Sequence, residues 1–379
     1  MLNKNLILCF SLLFMMTGCN ENPKTPFKID YEKYQLDNGL TVILHEDKSD
    51  PIVSLAIQYH VGSNREVPGR TGFAHLFEHM LFQNSQHVGE DQFFNIVQNA
   101  GGTLNGGTNK DGTVYFEVIP KNALETILWM ESDRMGWLLS TVNQASFSNQ
   151  QSVVKNEKRQ RVDNRAYGHN NYMIIKNLYP EDHPYNWAVI GELEDLQNAT
   201  LQDVRSFYEQ WYGPNNATMV IAGDINKQNV KKMVEKYFGE IKQGPNNKDP
   251  EVMPVELYDT KKLYHEDNFA RSPRLTMTYP TVDQRHFDAP ALELLGQLLS
   301  DGKDSPIYKV IVEKNKLAPN ARAYNSALEI AGTFTIASTG LPTTNLTDVE
   351  NSIFEALDKF ETDGFTNEDL ERLKAKYET

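Results

Sequence analysis

Two rhythms of apolar residues run through the chain and lay out its elements before any chemistry is considered. Residues 52–61 alternate with period two, so Val53, Leu55, Ile57, Tyr59 and Val61 face one way, as in a half-buried strand. Residues 34–46 read as a hairpin turned at Asn38-Gly39, and residues 113–120, with Val114, Phe116 and Val118, as another strand. Over residues 70–82 (R-T-G-F-A-H-L-F-E-H-M-L-F) the rhythm becomes helical. Phe73, Leu76, Phe77 and Met80 form a core-facing stripe, and His75, Glu78, His79 and Phe82 form a second stripe. Residues 121–139 predict a long amphipathic helix carrying Leu124, Ile127, Leu128 and Met135, and residues 149–163 predict another. Thr200-x-x-Asp203 caps a helix that reaches residue 212, ahead of a strand over 217–224 and a helix over 227–238.

The pattern then starts again. Residues 243–254 (Q-G-P-N-N-K-D-P-E-V-M-P) have three prolines and no periodicity, which marks a linker. Beyond it come a strand over 275–279, an apolar helix over 289–299, a strand over 332–338 and a helix over 346–360. The expected fold class is α+β: two related units, residues 28–242 and 255–379, each a mixed β-sheet packed with α-helices. In the second unit the helix at the place of 70–82 reads A-P-A-L-E-L-L-G-Q-L-L and has no histidine.

Charge and cysteines narrow the chemistry. The formal net charge of −14 argues against nucleic acid as a partner. Residues 1–19 predict a leader: Lys4, then an apolar run over 6–16 that is too short to span a bilayer stably, then Thr17-Gly18-Cys19. Small residues before a cysteine at that place resemble a bacterial lipobox. The expectation is a lipidated Cys19, a tether over 20–27 and a lipid-anchored location in the bacterial cell envelope, facing the periplasm or the exterior. The two cysteines are Cys9 and Cys19, so a metal site in the mature chain must be built from histidine and carboxylate.

His75 and His79 lie one helical turn apart, with Cβ atoms about 5–6 Å from each other, so both imidazoles can reach one ion. Glu78, on the same face, can reach a water on that ion. His-x-x-Glu-His reverses the more familiar His-Glu-x-x-His and is the inverzincin order. In 149–163, Val153, Val154 and Glu157 share a stripe, while Lys155, Lys158 and Arg159 fall on the solvent side. A carboxylate on an apolar stripe needs a partner, which makes Glu157 the candidate third ligand; the plain alternative is a glutamate at the edge of the stripe. Two imidazoles and one carboxylate, with water in the fourth place, suit Zn2+, one ion per chain. Residues 101–108 are rich in glycine where a strand is expected. They predict either a loose hairpin or an edge that accepts a peptide as an added strand.

Four segments, T-G-F-A-H-L-F-E-H-M-L-F, G-G-T-L-N-G-G-T, V-V-K-N-E and Y-G-P-N-N-A-T-M-V-I-A-G-D, occur in this order. On them the chain resembles the pitrilysin–insulinase peptidases, which include the mitochondrial processing peptidases, from about residue 26 to its end. The resemblance implies zinc held by His75, His79 and Glu157, with Glu78 as general base. It also implies a substrate-binding edge formed by Gly102, Leu104, Asn105, Gly106 and Thr108, within half of a clam-shell chamber. The implied activity is zinc-dependent endopeptidase action on peptides or unfolded segments; the alternative is a non-catalytic, membrane-anchored binding or assembly protein, against which the intact four site residues speak. Three departures stand out. Gln150 replaces a glutamate seven residues before Glu157, and Asn105-Gly106 replaces Asn-Ala. The second unit is shorter than the family's repeat, so the chain reads as truncated. The arginine and tyrosine that the family's opposite half supplies align here with Val312 and Pro319. The implied partner is therefore a complementary half, beyond Thr379 or on a partner subunit.

Overall fold

A computed structural model describes residues 28–377; the predicted leader, the tether and Cys19 lie outside the described residues. The first strands, β1 (Glu32–Gln35) and β2 (Thr41–Glu46), form the expected antiparallel hairpin. Its turn needs Gly39, at φ +89°, and its Asn38 side chain donates to the Phe238 and Ile241 carbonyls at 2.7 and 3.0 Å. With β3 (Ile52–Tyr59), β4 (Thr103–Thr108), β5 (Thr113–Pro120) and β6 (Ala217–Gly223) they build a six-stranded sheet in the order β1-β2-β6-β3-β5-β4. β2 and β6 run parallel and the other neighbours antiparallel, so this sheet is mixed. β4 is an edge. One face is covered by α1 (Phe73–Gln83), α2 (Gln92–Asn99), α3 (Leu124–Trp137), α4 (Gln144–Lys158) and, further along, α7 (Leu201–Trp211) and α8 (Lys227–Phe238). The capping box predicted at Thr200 and Asp203 is present at the start of α7.

The strand expected over 113–120 is present and its burial marks its faces, while two expectations about α4, on Lys158 and Val153, change. In β5 the helix-facing residues are Tyr115, Glu117 and Ile119, while Phe116 and Val118 lie on the open face. The register with β3 sets this, pairing Ile57 with Tyr115 and Val53 with Ile119. Burying Glu117 is possible because Arg134 on α3 lies beside it, bonded to Glu131 through Nε at 2.8 Å. Lys158 is not on the solvent side: it is buried, with Nζ donating to the Gly191 carbonyl at 3.0 Å. Val153 is largely exposed, and Val154 alone carries the apolar stripe.

After α4 the chain makes a π-helical turn over Arg159–Asp163, then α5 (Asn170–Leu178) and α6 (Leu193–Asn198). The stretch around α5 reaches the second unit: Ile175, Leu178, Tyr179 and Tyr185 share a core with Ile330 and Ala331. That unit has a three-stranded sheet, order β7-β9-β8, built from β7 (Arg274–Thr281), β8 (Ala321–Ala327) and β9 (Gly332–Thr339). Its described pairs are antiparallel. It packs against α9 (Ala289–Ser300), a short α10 (Pro306–Tyr308) leading into a π-helical stretch over Lys309–Lys314, and α11 (Leu346–Asp363); α12 (Asn367–Tyr377) follows. Residues 243–254 contain neither helix nor strand. Among the described residues, no helix is long and apolar enough to cross a membrane.

Candidate active site

The site begins with how α1 is started. Gly72, at φ +87°, is its cap, and a Cβ there would sit 2.8 Å from the Ile190 carbonyl oxygen. Glu66 then caps the first turn from outside: its two carboxyl oxygens accept from Gly72 N–H and Ala74 N–H, each at 2.9 Å. Burial pushes the Glu66 carboxyl up to about 8, against these hydrogen bonds.

α4 crosses α1, and the crossing is where the predicted ligands meet. His79 Nε2 lies 3.1 Å from Glu157 Oε2 and His75 Nε2 lies 3.6 Å from the same oxygen. The two imidazoles are nearly perpendicular, with centroids 4.8 Å apart. All three donor atoms fall within 4.8 Å of one another. The side chains are 12, 24 and 14% exposed for His75, His79 and Glu157: enclosed, yet open on one side. Burial first, and His79 second, hold the His75 imidazole below its usual range, which favours the neutral, ligating form. Two imidazole nitrogens and a carboxylate oxygen converging in this way fit a tetrahedral Zn2+ with one place left over. The other carboxyl oxygen of Glu157 is held by Arg161 Nη1 at 2.7 Å, from the π-helical turn.

Glu78, whose carboxylate is close enough to His75 to act on its charge, also reaches the sheet edge. Its Oε2 accepts from the Thr108 hydroxyl at 2.6 Å, so α1 and β4 are bridged at the base itself. One turn on, the Phe82 ring lies against Gly106, where a Cβ would come within 2.8 Å of it. This accounts for Gly106 standing where the resemblance leads one to expect alanine. The remaining edge candidates divide. Asn105 is exposed and its side chain accepts from the Gly106 N–H at 2.9 Å. Leu104 packs partly into the core. Gly102 precedes β4 and is crowded by Ile119 and Val97, which makes it a close-packing glycine and not an open surface. Gln150 is buried and donates to Gln83 at the end of α1, bracing the two helices without reaching His75, His79 or Glu157. In the second unit, Val312 lies in the π-helical stretch and Pro319 just before β8.

Sequence reasoning missed Arg161, Glu66 and the bond from Thr108 to Glu78. Arg161 had a usable signal, since it stands four residues after Glu157 on what reads as one helix. The other two depend on how loops and an edge strand fold back on α1, which local spacing does not encode.

Two family descriptions match the chain: "Insulinase (Peptidase family M16)" over residues 41–175 and "Peptidase M16 inactive domain" over residues 198–377. The chain belongs to the M16 peptidase family. The "inactive" description falls outside His75, Glu78, His79 and Glu157. Among curated M16 relatives, the zinc protease PqqE of Helicobacter pylori is 28% identical over 98% of this chain and 83% of its own length. A protease from Helicobacter pylori of known crystal structure superposes with TM-score 0.86 at 29% identity, covering 93% of this chain and 84% of that one. The periplasmic protease PqqL of Escherichia coli, at 20% identity and TM-score 0.72, is matched over 93% of this chain and 40% of its own, which shows the shared fold.

Proposed function

We propose that this M16 chain is a zinc-dependent endopeptidase that hydrolyses peptides or unfolded segments. The observation that carries the reading is the convergence of His75, His79 and Glu157 beside a base, Glu78, that is itself tied to an edge strand. Zinc held by these three side chains would polarise a scissile carbonyl and bring the pKa of a water toward about 7. Glu78 accepts the proton at its carboxylate and returns it to the leaving amine. β4 presents a free edge along which a peptide backbone can pair. The relatives' names as zinc proteases support the metal.

The reading includes a complementary half, in the same polypeptide or on a partner subunit. Val312 and Pro319 offer no side-chain donor to a developing oxyanion, and losing one such donor costs about 10²–10³ in rate. A solved first half of the Escherichia coli PqqL protease, matched over 93% of this chain, supports the idea of a half that works with another. Lipidation at Cys19 and a place in the cell envelope complete the proposal, in keeping with the periplasmic description of PqqL.

The test is metal analysis combined with a peptide-library digest, with and without candidate halves carrying the Arg/Tyr pair. His75→Ala and Glu157→Gln are expected to lose most of the zinc, whereas Glu78→Gln keeps one zinc per chain and loses turnover. Wild-type turnover by Glu78→Gln would refute the assignment of the base.

A further inference from the structure

Among the described residues, one place where the unit without the metal residues meets the first unit is a turn at the end of the edge strand. That turn, residues 109–112, joins edge strand β4 to β5, and its ends are the ladder pair Thr108 and Thr113. From its own unit, Asn109 and Lys110 carbonyls accept from Ser63 and Asn64 N–H at 3.2 and 2.8 Å. The Lys110 ammonium donates to the carbonyls of Tyr185 and Trp187, each at 3.0 Å. Asp111 is where the second unit takes hold. Its Oδ2 accepts the Glu329 N–H at 2.9 Å; its Oδ1 accepts the Tyr185 hydroxyl at 2.5 Å and Asn64 Nδ2 at 3.1 Å. The Tyr185 oxygen in turn accepts the Ile330 N–H at 3.2 Å. Glu329 and Ile330 form the tip between β8 and β9.

The Glu329 side chain is held by the first unit as well. It is buried, and its carboxylate meets His60 Nε2 at 2.7 Å and Arg65 Nη2 at 3.7 Å. His60, Asp249 and Glu329 are close enough together to suggest a second metal site. Arg65 Nη2, however, stands 3.1 Å from His60 Nε2, so a fixed cation already fills the place an ion would take. The cluster is a knot that holds the tip of β8–β9 against the tip of β4–β5.

We propose that Asp111 and Glu329 are positioning residues for the peptidase reaction. By gripping the 109–112 turn, the second unit fixes the height and tilt of Thr108, and through its hydroxyl the base Glu78 and the free edge of β4. The inference rests on the peptidase reading for its kinetic part, and it differs from a plain lock between units by predicting coupling to Thr108.

The experiment uses the full chain carrying Asp111→Asn, Glu329→Gln or Tyr185→Phe, each alone and combined with Thr108→Val, with Thr108→Ser as the conservative variant. Zinc content, kcat and KM are measured, together with backbone amide exchange over residues 103–108. Expected are one zinc per chain throughout, kcat lowered roughly 10–100-fold by Asp111→Asn or Thr108→Val, and near wild-type kcat for Thr108→Ser. The double variant should be no slower than Thr108→Val alone, because both act through one contact. Amide exchange over 103–108 should quicken in the Asp111, Glu329 and Tyr185 variants. Multiplying rate losses, or unchanged exchange over 103–108, would overturn the proposal. If Asp111→Asn does not fold, the nearly isosteric Tyr185→Phe decides on the same readouts. If the zinc-loaded wild type cleaves nothing even when supplied with a complementary half carrying the Arg/Tyr pair, the peptidase reading fails while amide exchange still decides the grip.

Discussion

The two units use one local plan and reach different ends. In the first, β3, α1, β4, β5 and α3 follow one another; in the second, β7, α9, β8, β9 and α11 do the same. β5 pairs with β3 and β4, as β9 pairs with β7 and β8, over nearly equal lengths. What differs is the gap between helix and edge strand. α9 lies flat on β8: a Cβ at Gly296 would come within 2.9 Å of the Tyr324 Cα. α1 stands off β4 by the depth of Glu78 and Phe82, whose side chains fill the space and touch Thr108 and Gly106. The scaffold therefore makes no site by itself. In the first unit the helix face carries side chains long enough to fill that gap, and a second helix, α4, brings a carboxylate across to the histidines.

The sharpest way to break this comparison is to injure the two edge strands in turn. Asn105→Pro or Gly106→Pro in β4 is expected to abolish peptide cleavage or raise KM by about 10²-fold or more, with zinc content unchanged, because proline removes a backbone donor from the edge. Arg322→Pro in β8 should leave KM alone. Equal kinetic damage from both strands would show that the difference between the units is not where the chemistry lies.

The second contrast is in the cores. α3 buries Glu131 and Arg134 against Glu117, with the Arg134 guanidinium 4.1 Å from the Tyr115 ring centroid and 4.7 Å from that of Phe93. Burial, and then the nearby Glu131, hold the Glu117 carboxyl well above the usual carboxylate range. The matching helix α11 buries Val349, Ile353 and Ala356. Arg134→Met alone should cost about 3–5 kcal/mol, since it strands a buried carboxylate. Replacing Glu117, Glu131 and Arg134 together with apolar residues should restore most of that. Chemical denaturation measures both. A triple variant as unstable as Arg134→Met would mean that the charges themselves hold the core together.

How much of this the sequence shows follows from the range of each interaction. The faces of α1 and β3 and the capping box at Thr200 are local patterns, and each stands where the periodicity places it. β8 (A-R-A-Y-N-S-A) has weak strand propensity and forms because β9 pairs with it. Burial of Glu117 has no local signal because an arginine on another element lies beside it, and Lys158 reads as solvent-facing because the distant carbonyl that receives it leaves no local mark. The bond from His79 to Glu157 spans 78 residues and that from Glu329 to Asp111 spans 218. The first could be anticipated from the chemistry of the donor set. The second has no counterpart in any pattern of residue types.

The smallest effect concerns how the two helices begin. α9 starts at an exposed Asp288 with a proline in its first turn, whereas α1 starts on the buried Glu66 carboxyl. Burial raises Glu66 to about 8, above the ordinary 4.5, so the folded chain binds its proton more tightly than the unfolded chain. The sign follows: the stability from this group is complete below about pH 4.5, declines as pH rises, and is gone above about pH 8. The slope cannot exceed about 1.4 kcal/mol per pH unit. In zinc-stripped protein, thermal unfolding of wild type and Glu66→Gln at pH 5, 6, 7 and 8 isolates the group, because other titrations are common to both. The wild-type advantage over Glu66→Gln should shrink steadily across that range. A difference constant from pH 5 to 8 would mean that Glu66 is already ionised at pH 5, with its two backbone donors outweighing burial.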